Sequence, residues 1–124
     1  MLRSLFFYKG GFKMFENNIV TKNDYLNHFG INLDLEVPKG DEPTNATARY
    51  IWRVENYCNN LLARYKEQPI TDDNIQRYKN GVMLMIYHSL KVGFENLNGL
   101  TDEAFYQFRL GGFCNVPKGV VYGS

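Results

Sequence analysis

From Val82 to Tyr87 the chain reads Val-Met-Leu-Met-Ile-Tyr, six apolar residues in a row inside a segment that otherwise keeps helical spacing. A surface helix hides one stripe, whereas a helix that is apolar nearly all round has to be covered on most sides. The fold must therefore set this helix centrally in its own core or against neighbouring subunits, and self-association is the expected solution. Val82, Met83, Met85, Ile86 and Tyr87 are the expected packing residues. The helix is predicted to start after Pro69, with Thr71-Asp72-Asp73 as cap and first-turn acids, and to stop at Gly93. Its inward positions are Ile75, Tyr78, Val82, Met85, Ile86, Ser89 and Leu90. Gly81 in its interior costs about 1 kcal/mol relative to alanine and would permit a close helix approach.

The rest of the chain supplies partners for that helix. Thr21 to Gly30 has a polar start, Tyr25, Leu26 and Phe29 at helical spacing, and a terminal glycine, which predicts one short helix. Ile31 to Thr44 alternates apolar and polar residues and then carries Pro38, Gly40 and Pro43, which predicts an extended connection with room for a brief strand from Ile31 to Val37. Thr44 or Asn45 can cap the longest helix, running to about Lys66. Its inward stripe is Ala48, Ile51, Tyr57 or Cys58, Leu61, Leu62 and Tyr65; its other face carries Arg49, Arg53, Asn56 and Asn60. Thr101-Asp102-Glu103 caps a short helix that ends at Leu110 before Gly111-Gly112. The tail from Phe113, with Val116, Pro117, Val120, Val121 and Tyr122, is too short and too punctuated for a helix.

The predicted fold class is thus mainly α: a small bundle of about four helices with extended N- and C-terminal arms. At 124 residues and 44% hydrophobic content the chain suits one domain with one modest core, read as residues 14–110, with a C-terminal arm over 111–124. Residues 1–13 admit two readings. They form a terminal arm that packs on a neighbour, or they are an upstream segment before a start at Met14. In the second case Lys9-Gly10-Gly11 corresponds to a purine-rich ribosome-binding run, and loss of Arg3, Lys9 and Lys13 turns the charge balance slightly negative. The segment lacks the long apolar region and small-residue cleavage site of a secretory signal, and no apolar run approaches the roughly 18 residues that span a bilayer.

Chemistry is sparse. His28, His88, Cys58 and Cys114 together offer four possible metal ligands, and they lie far apart in sequence, without the close pairs that zinc sites use. No serine or cysteine stands beside a base and an orienting third group. The acid pairs Asp41-Glu42, Asp72-Asp73 and Asp102-Glu103 each adjoin a helix start, where dipole pairing accounts for them. These observations predict no enzyme, no metal and no cofactor. The formal net charge of +1 excludes a global field for nucleic acid, so DNA contact would have to be local, through Arg49 and Arg53 with Arg64, Lys66, Arg77 and Lys79 nearby. Glu55, Glu67, Asp72 and Asp73 dilute that region, and a charged helix face is ordinarily solvated.

Three stretches resemble the head–tail connector (adaptor) proteins of tailed bacteriophages: Val20 to Leu33, an opening V/T-K-x-D-Y-L-x-x-F-G-I with a following leucine; Ala46 to Tyr57, A-x-x-x-Y-I-x-R-x-E-x-Y; and Tyr78 to Gly93, Y-K-N-G-V-x-x-x-I-Y-x-x-L-K-x-G. The resemblance implies a non-enzymatic virion protein at the neck, made in the bacterial host cytoplasm. Such a protein binds the portal protein after DNA packaging and forms a homo-oligomeric, dodecameric ring. It extends the channel toward a stopper or tail-completion protein, passing double-stranded DNA without sequence-specific contact and without a membrane. It would give the Val82–Tyr87 surface to the core or a ring neighbour, and the tail, with Phe113, Val116, Pro117, Val120, Val121 and Tyr122, to docking on the portal or a neighbour. The connection from Val37 to Pro43 and the PKGVVYG element have no counterpart in the pattern. Two other classes compete: a small helical DNA-binding or regulatory protein using the Arg49/Arg53 face, and another tail or baseplate interaction module.

Overall fold

Capping side chains set the starts of three helices in the computed structural model, which describes residues 18–38, 40, 43–63 and 68–114. Helix α1 spans Lys22–Phe29. Thr21 accepts from the Asp24 N–H while the Asp24 carboxylate accepts from the Thr21 N–H, a reciprocal capping box, and Gly30 closes the helix in the left-handed region at φ 73°. Helix α2 is a single turn, Leu33–Glu36, capped by the Asn32 side chain. Helix α3, Pro43–Ala63, begins slightly earlier than Thr44 or Asn45 would set it, with proline at the first helical position, where a missing N–H costs nothing. Helix α4 covers Ile75–Val92, a 3-10 turn covers Phe94–Asn96, and helix α5 covers Asp102–Leu110 with Thr101 as its cap. The protein is mainly helical, and no strand occurs among the described residues.

Two elements differ from the sequence expectation. The Ile31–Val37 segment forms α2 instead of a strand. Alternation would put Leu33, Leu35 and Val37 on one face, yet Leu33 and Val37 are buried while Leu35 is 71% exposed. Spacing of four, not two, is the one in use. An isolated strand would leave its N–H and C=O groups unpaired, whereas the Asn32 cap and one helical turn satisfy them locally. Helix α4 starts at Ile75 because Asp72-Asp73-Asn74 make a turn before it. Asn74 holds that turn by accepting from the Thr71 N–H at 2.7 Å and donating to the Pro69 carbonyl at 3.1 Å and, more weakly, to the Gly111 carbonyl at 3.3 Å.

The core forms where α4 passes between α3 on one side and α5 on the other, with α1 and α2 laid against α3. Lys22 of α1 pairs with Asp34 of α2 at 2.7 Å, and Asp34 also accepts from Thr47 of α3; these bonds hold its carboxyl below the usual carboxylate range. Lys79 of α4 pairs with Asp24 of α1 at 3.3 Å. At Gly81 a Cβ would stand 2.7 Å from the Phe108 ring, so the glycine is what lets α5 lie this close to α4.

Candidate functional site

The apolar run of α4 is covered by the chain itself. Val82, Met83, Met85 and Ile86 are buried, and Tyr87 is half-buried with its ring stacked on Phe29 at a centroid distance of 5.1 Å. Of the expected inward positions Tyr78, Val82, Met85, Ile86 and Ser89 are buried, while Ile75 and Leu90 are half-buried. Self-association is therefore not required to hide this helix.

The C-terminal end of the described chain corrects the placement of Phe113. Sequence reading puts it at the start of an extended docking arm, but its side chain is fully buried, packed edge-on against Tyr78 at 5.6 Å and Phe108 at 6.1 Å. The cause is the way α5 ends. Gly112 takes φ 81°, the Phe113 N–H donates to the Phe108 carbonyl at 2.8 Å, and the Gly112 N–H donates to the Arg109 carbonyl at 3.0 Å. That is the Schellman pattern, in which the residue after the left-handed glycine folds back onto the last turn and makes an apolar contact there. Gly111 has to be glycine for steric reasons, since a Cβ there would run into the Phe113 ring and lie 3.0 Å from Arg77 Cβ. Cys114 is buried as well, so the helical domain extends past Leu110 to at least Cys114. Val116, Pro117, Val120, Val121 and Tyr122 lie outside the described residues.

Arg49 and Arg53, one helical turn apart on α3, come together in a cleft of about 290 Å³ between α2, α3, α4 and the 3-10 turn. Its walls also carry Glu36, Tyr50, Phe94 and Glu95. The Arg53 guanidinium sits 4.0 Å above the Phe94 ring, a cation–π contact. Phe94 arrives there because Gly93, at φ 91°, turns the chain out of α4 into the 3-10 turn, where Tyr50 and Tyr57 meet its ring edge-on. Under the cleft Ser89 donates its single hydroxyl proton to the Ile86 carbonyl, so in the 2.7 Å contact with Tyr50 the phenol is the donor. Two guanidinium groups and two carboxylates share these walls, which makes the cleft close to neutral and a poor grip for consecutive phosphates. Of the nearby cations, Arg77 bonds to Gln107 at 3.0 Å and Lys79 pairs with Asp24, so they do not converge on Arg49 and Arg53; Arg64 and Lys66 lie outside the described residues.

One polar residue lies on a different surface from the one its sequence context suggests. Glu55 neighbours Arg53 in sequence and reads as part of a solvated face, but it is buried on the inner side of α3. Its carboxylate accepts the Val20 N–H at 2.7 Å and also the Ile19 N–H, while Asn18 Nδ2 donates to the Ala48 carbonyl at 2.9 Å. These bonds seat residues 18–20 along α3. Burial drives the Glu55 pKa up to about 7, against the lowering effect of the two N–H donors. No short motif marks such a bond, since its donors are main-chain groups about 35 residues earlier.

Cys58 and Cys114 are buried free thiols, and burial raises the Cys58 thiol pKa far above its ordinary range, which leaves it inert as a nucleophile. His28 is exposed on α1, edge-on to Phe29, and His88 is half-buried on α4. Among the described residues no three His, Cys, Asp or Glu side chains gather as a metal site, and no helix is long and apolar enough to cross a membrane. Comparison with protein-family models, with curated proteins and with solved structures finds no match to the chain.

Proposed function

We propose that this chain is a structural virion protein, a head–tail connector that forms a ring beneath the portal and extends the DNA channel toward a stopper or tail-completion protein. The observation that carries the reading is that the three stretches bearing the resemblance lie on adjoining parts of one packed unit. Val20 to Leu33 covers the end of the segment seated on α3, then α1 and the start of α2; Ala46 to Tyr57 lies in α3; Tyr78 to Gly93 is α4 with its closing glycine. The near-neutral Arg49/Arg53 cleft suits a conduit, since strongly basic surface would retard passing DNA. Exposed Leu35 on α2 and exposed Tyr106 and Leu110 on α5 stand on different helices. A head-to-tail ring contact joins two different patches of the same chain, and these apolar side chains are available for it. In this reading the docking arm begins at Asn115, after the buried Phe113 and Cys114, and carries Val116, Pro117, Val120, Val121 and Tyr122 to the portal or an adjacent copy. Repetition around the ring makes many weak arm attachments strong together.

The test is quantitative mass spectrometry of purified tailed-phage particles from a strain carrying this gene. A copy number comparable to that of the portal protein supports the connector, and removal of residues 115–124 should then leave a folded protein that no longer enters particles. Absence from the particle overturns the reading. A fall in DNA affinity on replacing Arg49 and Arg53 together by alanine would favour the DNA-binding class.

A further inference from the structure

We infer that Glu55 is a protonation-controlled latch that decides whether the chain at residues 18–20 stays seated on α3. The inference is independent of the connector reading and rests on geometry. Val20 is fully buried and Glu55 almost so, and the bond between the Val20 N–H and Oε2 is 2.7 Å long. A second main-chain N–H, that of Ile19, reaches the same carboxylate, and the Asn18 amide completes the attachment on the Ala48 carbonyl. A buried carboxylate normally has a cation beside it, because desolvating an unpaired charge is costly. Here, among the described residues, the electrostatic influences on Glu55 come from those two backbone N–H groups and from burial. No charged side chain of α1, of α4 or of the seated segment acts on it. Its titratable neighbour is the Cys58 thiol one turn along α3, which stays protonated throughout the range in which Glu55 changes state.

The direction of the switch follows from where Glu55 holds its proton. With residues 18–20 seated, burial raises its pKa from the ordinary 4.5 to about 7. With the segment lifted away the carboxyl meets water and returns toward the ordinary value. The seated state therefore binds the proton more tightly, so seating is strongest at low pH and is lost progressively as pH rises through 7. Linkage with these two values makes the lifted population about 30-fold larger, relative to the seated one, at about pH 8.5 than at about pH 5.5.

The experiment is an NMR titration of the full chain labelled with ¹³C and ¹⁵N, following the Glu55 side-chain carboxyl together with the Ile19 and Val20 amides. The expected result is a Glu55 midpoint near 7 with both amides moving at the same midpoint, and amides that no longer respond to pH in Glu55→Gln, which keeps an acceptor but cannot ionise. A Glu55 midpoint near 4.5, or amides that stay fixed while Glu55 titrates, overturns the latch. The wild-type titration decides on its own if the variant fails to fold.

Discussion

The two ends of the described chain are fastened to the same bundle by opposite kinds of chemistry. At the C-terminal end Phe113 is locked by shape: its ring fills a space against Tyr78 and Phe108, and two glycines permit the fold-back. At the N-terminal end Val20 is buried too, but residues 18–20 are also held by hydrogen bonds to a buried carboxylate and to one carbonyl, an attachment that shape alone does not supply. Packing of this kind does not depend on protonation, whereas a carboxylate with raised pKa makes its attachment depend on pH throughout. A protein that must hold one segment under all conditions and release another under some has both devices available in a single small core.

The comparison can be broken most forcefully at the aromatic end. Phe113→Ala should destabilise the fold by about 3–5 kcal/mol in chemical denaturation, equally at pH 6 and pH 8, because the cavity it leaves involves no titrating group. A loss much smaller than this would mean that Phe113 is not a core residue. Gly81→Ala comes next: its methyl would press on the Phe108 ring, which is itself wedged by Tyr78 and Phe113 and cannot move cheaply. Overpacking there should cost about 1–3 kcal/mol and loosen Phe113 as well.

The N-terminal end sharpens the contrast through its pH dependence. The folded Glu55 pKa lies above its unfolded value, so its contribution to stability is complete below about pH 4.5 and lost as pH rises through about 7. The wild-type protein should lose on the order of 2 kcal/mol between about pH 5.5 and about pH 8.5 from this group, and Glu55→Gln should flatten that slope in parallel denaturation series. Smallest of all, Asn18→Ala removes one partly buried hydrogen bond to Ala48. It should cost about 0.5–1.5 kcal/mol, read as faster exchange of the Ile19 and Val20 amides with no change at Phe113.

Helices with local signals were legible in the sequence. Thr21 with Asp24, Gly30, Thr101 and the Gly111-Gly112 stop all act where their chemistry says they should, and Tyr78, Val82, Met85, Ile86 and Ser89 face inward as their spacing requires. Gly81 is the close approach its position suggested. What failed was the reading of short segments with two competing periods: Leu33, Leu35 and Val37 fit alternation, and only the absence of a strand to pair with and the presence of the Asn32 cap decide for a helical turn. Phe113 could have been recognised, since an apolar residue directly after the glycine that ends a helix is the natural third part of a Schellman motif.

Arg49 and Arg53 were legible as one face of α3, but the acids and the Phe94 ring that join them come from α2 and from a turn beyond Gly93, brought there by tertiary packing alone. Glu55 was hidden for a further reason. A glutamate beside an arginine on an amphipathic helix looks solvated, and nothing about Ile19 or Val20 as residue types announces that their main-chain N–H groups will seek it.

The most direct measurement is native-state hydrogen exchange at two amides in one sample, Val20, bonded to Glu55, and Phe113, bonded to the Phe108 carbonyl. After correction for intrinsic rates, opening at Val20 should increase by about 30-fold from about pH 5.5 to about pH 8.5 while opening at Phe113 holds steady. Equal pH dependence at the two amides, or none at Val20, would contradict the claim that the two ends of the described chain are anchored by different physics.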